Sequence, residues 1–257
     1  MRVRPLAGVA GAVVFTAAWV AGSLRQTGHG VLSVQLSGLA ADDARDPWIM
    51  ITGFVVLGAC TVLFGQELAA ELHGGLGPRL IQLAGVLAIA VGLLRRDHVE
   101  LTTGADSWHN QAHNIVSLVL YGDLVLAQLL LARRFGAVPA WRAWRPYLAA
   151  SGIATGVALA VFVPNITSPS GGVLQRVAVS IPLLAVAAMA VQLARCPAAR
   201  TSQAPLASSV SQQPRNGPIQ VRVRHRRLLQ CRCSRSAGTR RARRCSRWPR
   251  RSHGSSR

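Results

Sequence analysis

The sequence predicts an all-α fold, a polytopic bundle of six transmembrane helices, and three observations carry that prediction. The 257 residues are 50% hydrophobic and only 15% charged, where soluble domains carry about 25% charge. Six separate stretches stay apolar for roughly the 17 to 25 residues that a helix needs to cross a bilayer. The charge is also segregated: all 29 basic residues are arginine, and 15 of them lie from Arg215 onward, where there is no acid. Residues 1–214 hold the other 14 and all nine acids, a net +5, so the formal +20 belongs mostly to the tail. It is no nucleic-acid footprint for the whole chain, and a nucleic-acid partner is not expected.

The spans run over about 6–24, 47–65, 76–94, 113–132, 147–163 and 173–194, in a membrane domain of residues 1–196. Helices are the open-ended structure that satisfies its own backbone in lipid, and Gly8, Gly11, Gly53, Gly58, Gly85 and Gly92 suit close packing there. Arg2 and Arg4 precede the first span as they would a signal peptide. Its apolar run exceeds the roughly 7 to 15 residues of a signal core, so a retained helix is expected. Asp46 before Pro47, and Asp106 or Ser107 before the fourth span, read as helix caps. Cys60 reads as a small buried hydrophobe. Gly74–Gly77 (GGLG) lacks the Lys-Ser/Thr of a phosphate loop and reads as a turn. Glu67, Glu71 and His73 form a polar helix end that meets water or Arg79. Arg176, early in the sixth span, is expected to snorkel outward or pair with an acid.

Residues 197–257 lack the apolar content for a core and are expected to be disordered. A tail of Arg, Ser, Cys, Trp and Pro without Lys, acids, Phe or Tyr is what GC-rich coding DNA gives in a shifted frame, the reading we favour. A polybasic segment lying on anionic lipid comes next, and Cys231, Cys233, Cys245 and His253 match no standard zinc finger.

Arginines near the span ends favour both termini in the cytoplasm of a cell-membrane protein, against the vote of Arg95 and Arg96. Trp48 and Trp108 then mark the outer interface, and Trp141, Trp144 and Tyr147 the inner one. The two longest polar loops, 25–46 and 95–112, fall outside together.

That outer face holds the residues with chemistry. His109 and His113 are at i and i+4, so one helix face directs both imidazoles to one point; interfacial hydrogen bonding is the reading we favour, and a metal pair, which requires this placement, is the alternative. Asp97, His98, Glu100, Asp106, Ser37, Asp42, Asp43 and Asp46 are further donors nearby. Zinc held by His109, His113 and Asp97, with an open water position, is within reach of this set. Asp123 continues the same stripe about 15 Å deeper, taking 1.5 Å per residue. An acid at that depth faces the bundle interior with a partner, for which Gln82, Gln128 and Ser180 are candidates, or serves a proton, ion or substrate.

Ser33–Leu39 (SVQLSGL), Asp46–Met50 (DPWIM), Gly92–Asp97 (GLLRRD), Ser107–His113 (SWHNQAH) and Gly172–Arg176 (GVLQR), in that order, resemble the bacterial membrane proteins of the domain-of-unknown-function 998 family. The resemblance covers about residues 5–195 and leaves out the tail. It implies a six-helix integral membrane protein, of a kind frequent in actinobacteria, with Ser37, Asp46, Asp97, His109 and His113 as outer-face polar residues. It implies no activity. Where those relatives read Asp-Pro after the third helix, this chain has Asp97-His98.

Two functions follow as expectations. The first is a non-enzymatic membrane component that binds lipid, a small solute or a protein partner. The second is a membrane-embedded, metal-dependent hydrolase of a lipid ester or amide at the outer face, with His109, His113, Asp97, Asp46 and Ser37 as catalytic candidates. That layout is similar in residue types to ceramidase-like hydrolases. A transporter finds no support in a three-helix repeat.

Overall fold

The computed structural model describes residues 3–27, 30, 32–99 and 107–195. The tail expectations for 197–257, together with Glu100, Asp106 and Cys196, lie outside the described residues.

Six helices form, and no strand is present among the described residues. They are α1 (Ala7–Arg25), α2 (Pro47–Glu71), α3 (Leu76–Leu93), α4 (Trp108–Ala137), α5 (Arg145–Phe162) and α6 (Gly171–Arg195). All six are long and apolar enough to cross a membrane. The helices exceed the apolar spans where polar ends keep helical backbone: α2 continues to Glu71, and α4 begins at Trp108 instead of His113. Ser107 is the cap of α4, its hydroxyl accepting from the Asn110 amide at 3.2 Å. Asp46 is not a cap. It sits before Pro47 in the left-handed region (φ 57°) without a capping bond, because its carboxylate is held by Arg25 Nε at 2.6 Å.

Each helix packs on the next in sequence, and α6 returns to α1, closing a ring. Short connections between sequential antiparallel helices dictate that order. α2 and α3 approach most closely at paired glycines: a Cβ on Gly85 would lie 2.6 Å from the Gly58 carbonyl oxygen. Cys60 is half-buried on the α1–α2 seam, not fully buried, where a Cβ on Gly11 would lie 2.8 Å from its own Cβ. The turn from α2 to α3 uses left-handed backbone at His73, Gly74 and Gly75, and the Gly74 amide donates to the Ala69 carbonyl at 2.7 Å. Glu67 lies 4.0 Å from Arg4.

The two ends of the ring differ. The end holding the α2–α3 and α4–α5 turns is solid: Phe64, Leu68, Ile81, Leu131, Phe135 and Leu148 are fully buried. Trp141 belongs to this core and not to an interfacial belt, since it is buried and stacked on Phe135 with ring centroids 4.6 Å apart. Trp48, Trp108 and Tyr147 are exposed. The other end is closed by the chain between α1 and α2, and all the polar residues of interest gather there or just beneath it.

Candidate functional site

Residues 32–44 form a plug across one mouth of the ring, with a single 3-10 turn at Gly38–Ala40. Val34, Leu36, Leu39, Ala40 and Ala41 are buried, so this connection supplies core, unlike an ordinary surface loop. A buried loop needs partners for its backbone, and polar side chains from the ring provide them. The Leu36 amide donates to Gln175 Oε1 at 2.6 Å. Gln35 donates to the Ile166 carbonyl at 2.6 Å and accepts from Arg96 at 3.2 Å. Gly38 and Gly172 are required by close approach: a Cβ on Gly38 would sit 2.5 Å from the Val99 carbonyl oxygen, and one on Gly172 would collide with the Leu32 and Ser33 backbone.

Arg176 does not snorkel outward. It is buried, and its guanidinium donates to the carbonyls of Val34 (2.6 Å) and Gly172 (2.9 Å) and to Ser23 Oγ (3.0 Å), with Trp19 5.0 Å away across its face. These bonds fix the plug to α6 and α1.

The two histidines work on one helix end. His113 Nδ1 lies 3.1 Å from the Val91 carbonyl oxygen and also meets that of Leu94, and His109 Nδ1 lies 3.1 Å from the Arg95 carbonyl oxygen. Carbonyls only accept, so both Nδ1 atoms carry a proton. The last carbonyls of a helix lack intrahelical partners, and the i, i+4 pair on α4 caps the end of α3.

The acids are apportioned separately. Asp42 pairs with Arg95 (2.9 Å), Asp46 with Arg25, and Asp43 accepts from the Val99 amide (2.7 Å) and faces His98 (3.1 Å). Asp97 accepts from the Ser107 hydroxyl (2.6 Å) and amide (2.8 Å). Those two bonds, the hydroxyl first, hold its carboxyl below the usual carboxylate range. Of the predicted metal set, Asp97 and His109 come together, 3.4 Å apart, and Asp42 joins them with ligand atoms within 4.8 Å. His113 is not in that group. Two carboxylates and an imidazole suit a divalent ion such as zinc, but ligation here would compete with Arg95 on Asp42 and, through Nδ1, with the Arg95 carbonyl on His109.

Beneath the plug, the ring encloses a cavity of about 70 Å³. Its walls are Phe15 of α1, Phe54 and Leu57 of α2, Ala84 and Ala88 of α3, Leu120 and Leu124 of α4, and Leu183 and Val186 of α6. No lining residue is charged. Its polar lining is Ser37, Ser117, Tyr121 and Gln175, the last donating to the Tyr121 hydroxyl oxygen at 3.3 Å, and Thr61 of α2, whose hydroxyl donates to the Leu57 carbonyl. Ser37, a predicted site residue, thus lines the cavity and stands apart from the histidines.

A family model described as "Protein of unknown function (DUF998)" matches residues 9–192. The chain belongs to this family. No curated protein and no solved structure matches it. In this DUF998 chain the five segments singled out from the sequence all converge on the plugged end, as plug, α2 start, α3 end, α4 start and α6 start.

Asp123 of the DUF998 bundle is buried, and neither carboxylate oxygen has a hydrogen-bond partner among the described residues. None of the three expected partners reaches it. Gln128 is turned to α5, accepting from Ser151 at 2.6 Å and donating to Thr155 at 3.3 Å, and Gln82 packs against Gly65. Sequence reading missed the plug and the roles of Gln35, Gln175 and Tyr121. The apolar residues Val34, Leu36, Leu39 and Ala40 inside a nominally polar loop were the available signal.

Proposed function

We propose that this protein is a non-enzymatic, membrane-embedded binding protein whose ligand, a chain-bearing lipid or small apolar solute, occupies the central cavity beneath the plug. The observation that carries this reading is a small, partly open apolar cavity of about 70 Å³ whose walls carry a few hydroxyl and amide groups, the kind of lining that orients a small apolar ligand. In the orientation favoured by the arginines, the plug faces outward, both termini are cytoplasmic and the membrane is the cell membrane. The hydrolase alternative asks both imidazoles to meet one ion; His109 gathers with Asp42 and Asp97 while His113 stands outside that group, which supports binding over hydrolysis at the two-histidine site.

Thermal unfolding of the full chain in detergent, with and without a polar lipid extract, tests the reading. Lipid is expected to raise the melting temperature of the wild type, and Ala88→Leu, which fills the cavity, is expected to abolish the shift while remaining folded. An equal shift in both proteins would overturn it.

A further inference from the structure

The polar end of the cavity constrains what the ligand presents there. Four hydroxyls line it; that of Thr61 donates to the Leu57 carbonyl at 2.8 Å, which leaves those of Ser37, Ser117 and Tyr121. Among the described residues none of them has an acceptor for its proton; Tyr121 accepts from Gln175 but its own O–H is not consumed. Ser37 is 6% exposed, so its hydroxyl cannot rely on bulk solvent. A buried polar group without a partner costs on the order of 1–3 kcal/mol, which favours a ligand that supplies one. Gln175 Oε1 accepts from the Leu36 amide, and no bond joins it to these hydroxyls among the described residues.

Three O–H protons are thus available at the polar end, and a ligand oxygen that accepts would complement them. It is uncharged, since no arginine, lysine or histidine lines the cavity to balance a carboxylate or phosphate, and an unpaired buried charge is disfavoured far more than a neutral dipole. Size narrows the class further. An engineered cavity of about 150 Å³ holds benzene, and this one is about 70 Å³. It admits a slender chain carrying a carbonyl and excludes a quinone or sterol ring.

We infer that the cavity binds the ester carbonyl of an aliphatic acyl chain, with the Ser37, Ser117 and Tyr121 hydroxyls as donors and the α2, α3, α4 and α6 side chains around the first methylenes. This rests on the cavity being a binding site.

Titration of the detergent-solubilised full chain with methyl palmitate, hexadecane and palmitate separates the two claims. Methyl palmitate is expected to bind about tenfold more tightly than hexadecane, the yield of one or two net hydrogen bonds, and more tightly than the palmitate anion. Tyr121→Phe and Ser117→Ala each preserve shape; each is expected to lose most of the ester's advantage and leave hexadecane binding unchanged. The infrared carbonyl stretch of the bound ester should move to lower frequency and return toward its free value in Tyr121→Phe. Equal binding of ester and hexadecane, or preference for palmitate, overturns the ligand class and leaves the cavity as a site. Binding of none of the three overturns both.

Discussion

The two ends of this bundle solve the same problem with opposite materials. At the α2–α3 end, Phe64, Leu68, Leu131, Phe135 and Trp141 fill the ring with apolar side chains. At the plugged end a loop fills it; Gln175 and Arg176 bond the loop's backbone, and the loop's own Gln35 bonds the Ile166 carbonyl. Close packing leaves no room for a ligand; a loop held by directional bonds leaves a cavity below it. Stability and binding are thereby assigned to different halves of one ring.

The largest expected effect breaks the solid half. Phe135→Ala should lower stability by about 3–5 kcal/mol, as large-to-small changes in a packed core do, read by denaturant unfolding in micelles, while lipid-induced stabilisation of the surviving fold persists. At the plugged end, Arg176→Leu removes donors from the Val34 and Gly172 carbonyls. A loss of about 1.5–3 kcal/mol is expected from hydrogen bonds to a charged group, together with faster proteolysis between residues 32 and 44.

Asp123 sharpens the contrast by reversing the sign. Arg176 donates to four oxygens, and Asp123 has no hydrogen-bond partner among the described residues. Asp123→Leu should leave stability unchanged or raise it by roughly 1 kcal/mol, since an unsatisfied buried polar group is removed; a large loss in unfolding experiments would mean a partner that this account omits.

The smallest effect is a pH dependence at Asp97. Its carboxyl is held below its unfolded value by Ser107, so its contribution is complete above about pH 4 and disappears as pH falls through the lower folded value. Asp97→Asn should flatten the stability profile below about pH 4 and leave its slope near neutrality unchanged.

Much of this was legible beforehand, and for physical reasons. Length and hydropathy determine where helices cross a bilayer, so all six spans were placed from their own residues. The i, i+4 spacing correctly put His109 and His113 on one face, but spacing is silent about what stands opposite, and the end of α3 stands there. Arg176 illustrates the same limit: a lone arginine near a helix start reads as interfacial until the loop carbonyls that surround it are known. The plug was hidden because its partners, Gln175 and Arg176, lie more than a hundred residues away in sequence.

The central claim is that the cavity under the plug, and not the lipid-facing surface, is where the ligand sits. Photo-crosslinking of the full chain with a methyl alkanoate carrying a diazirine on its first methylenes, followed by peptide mass spectrometry, tests it most directly. The account predicts adducts on the walls at Ala88, Leu120 and Leu183, lost in Ala88→Leu. Adducts confined to exposed residues of α1 such as Val13 and Val20, unchanged in Ala88→Leu, would contradict it.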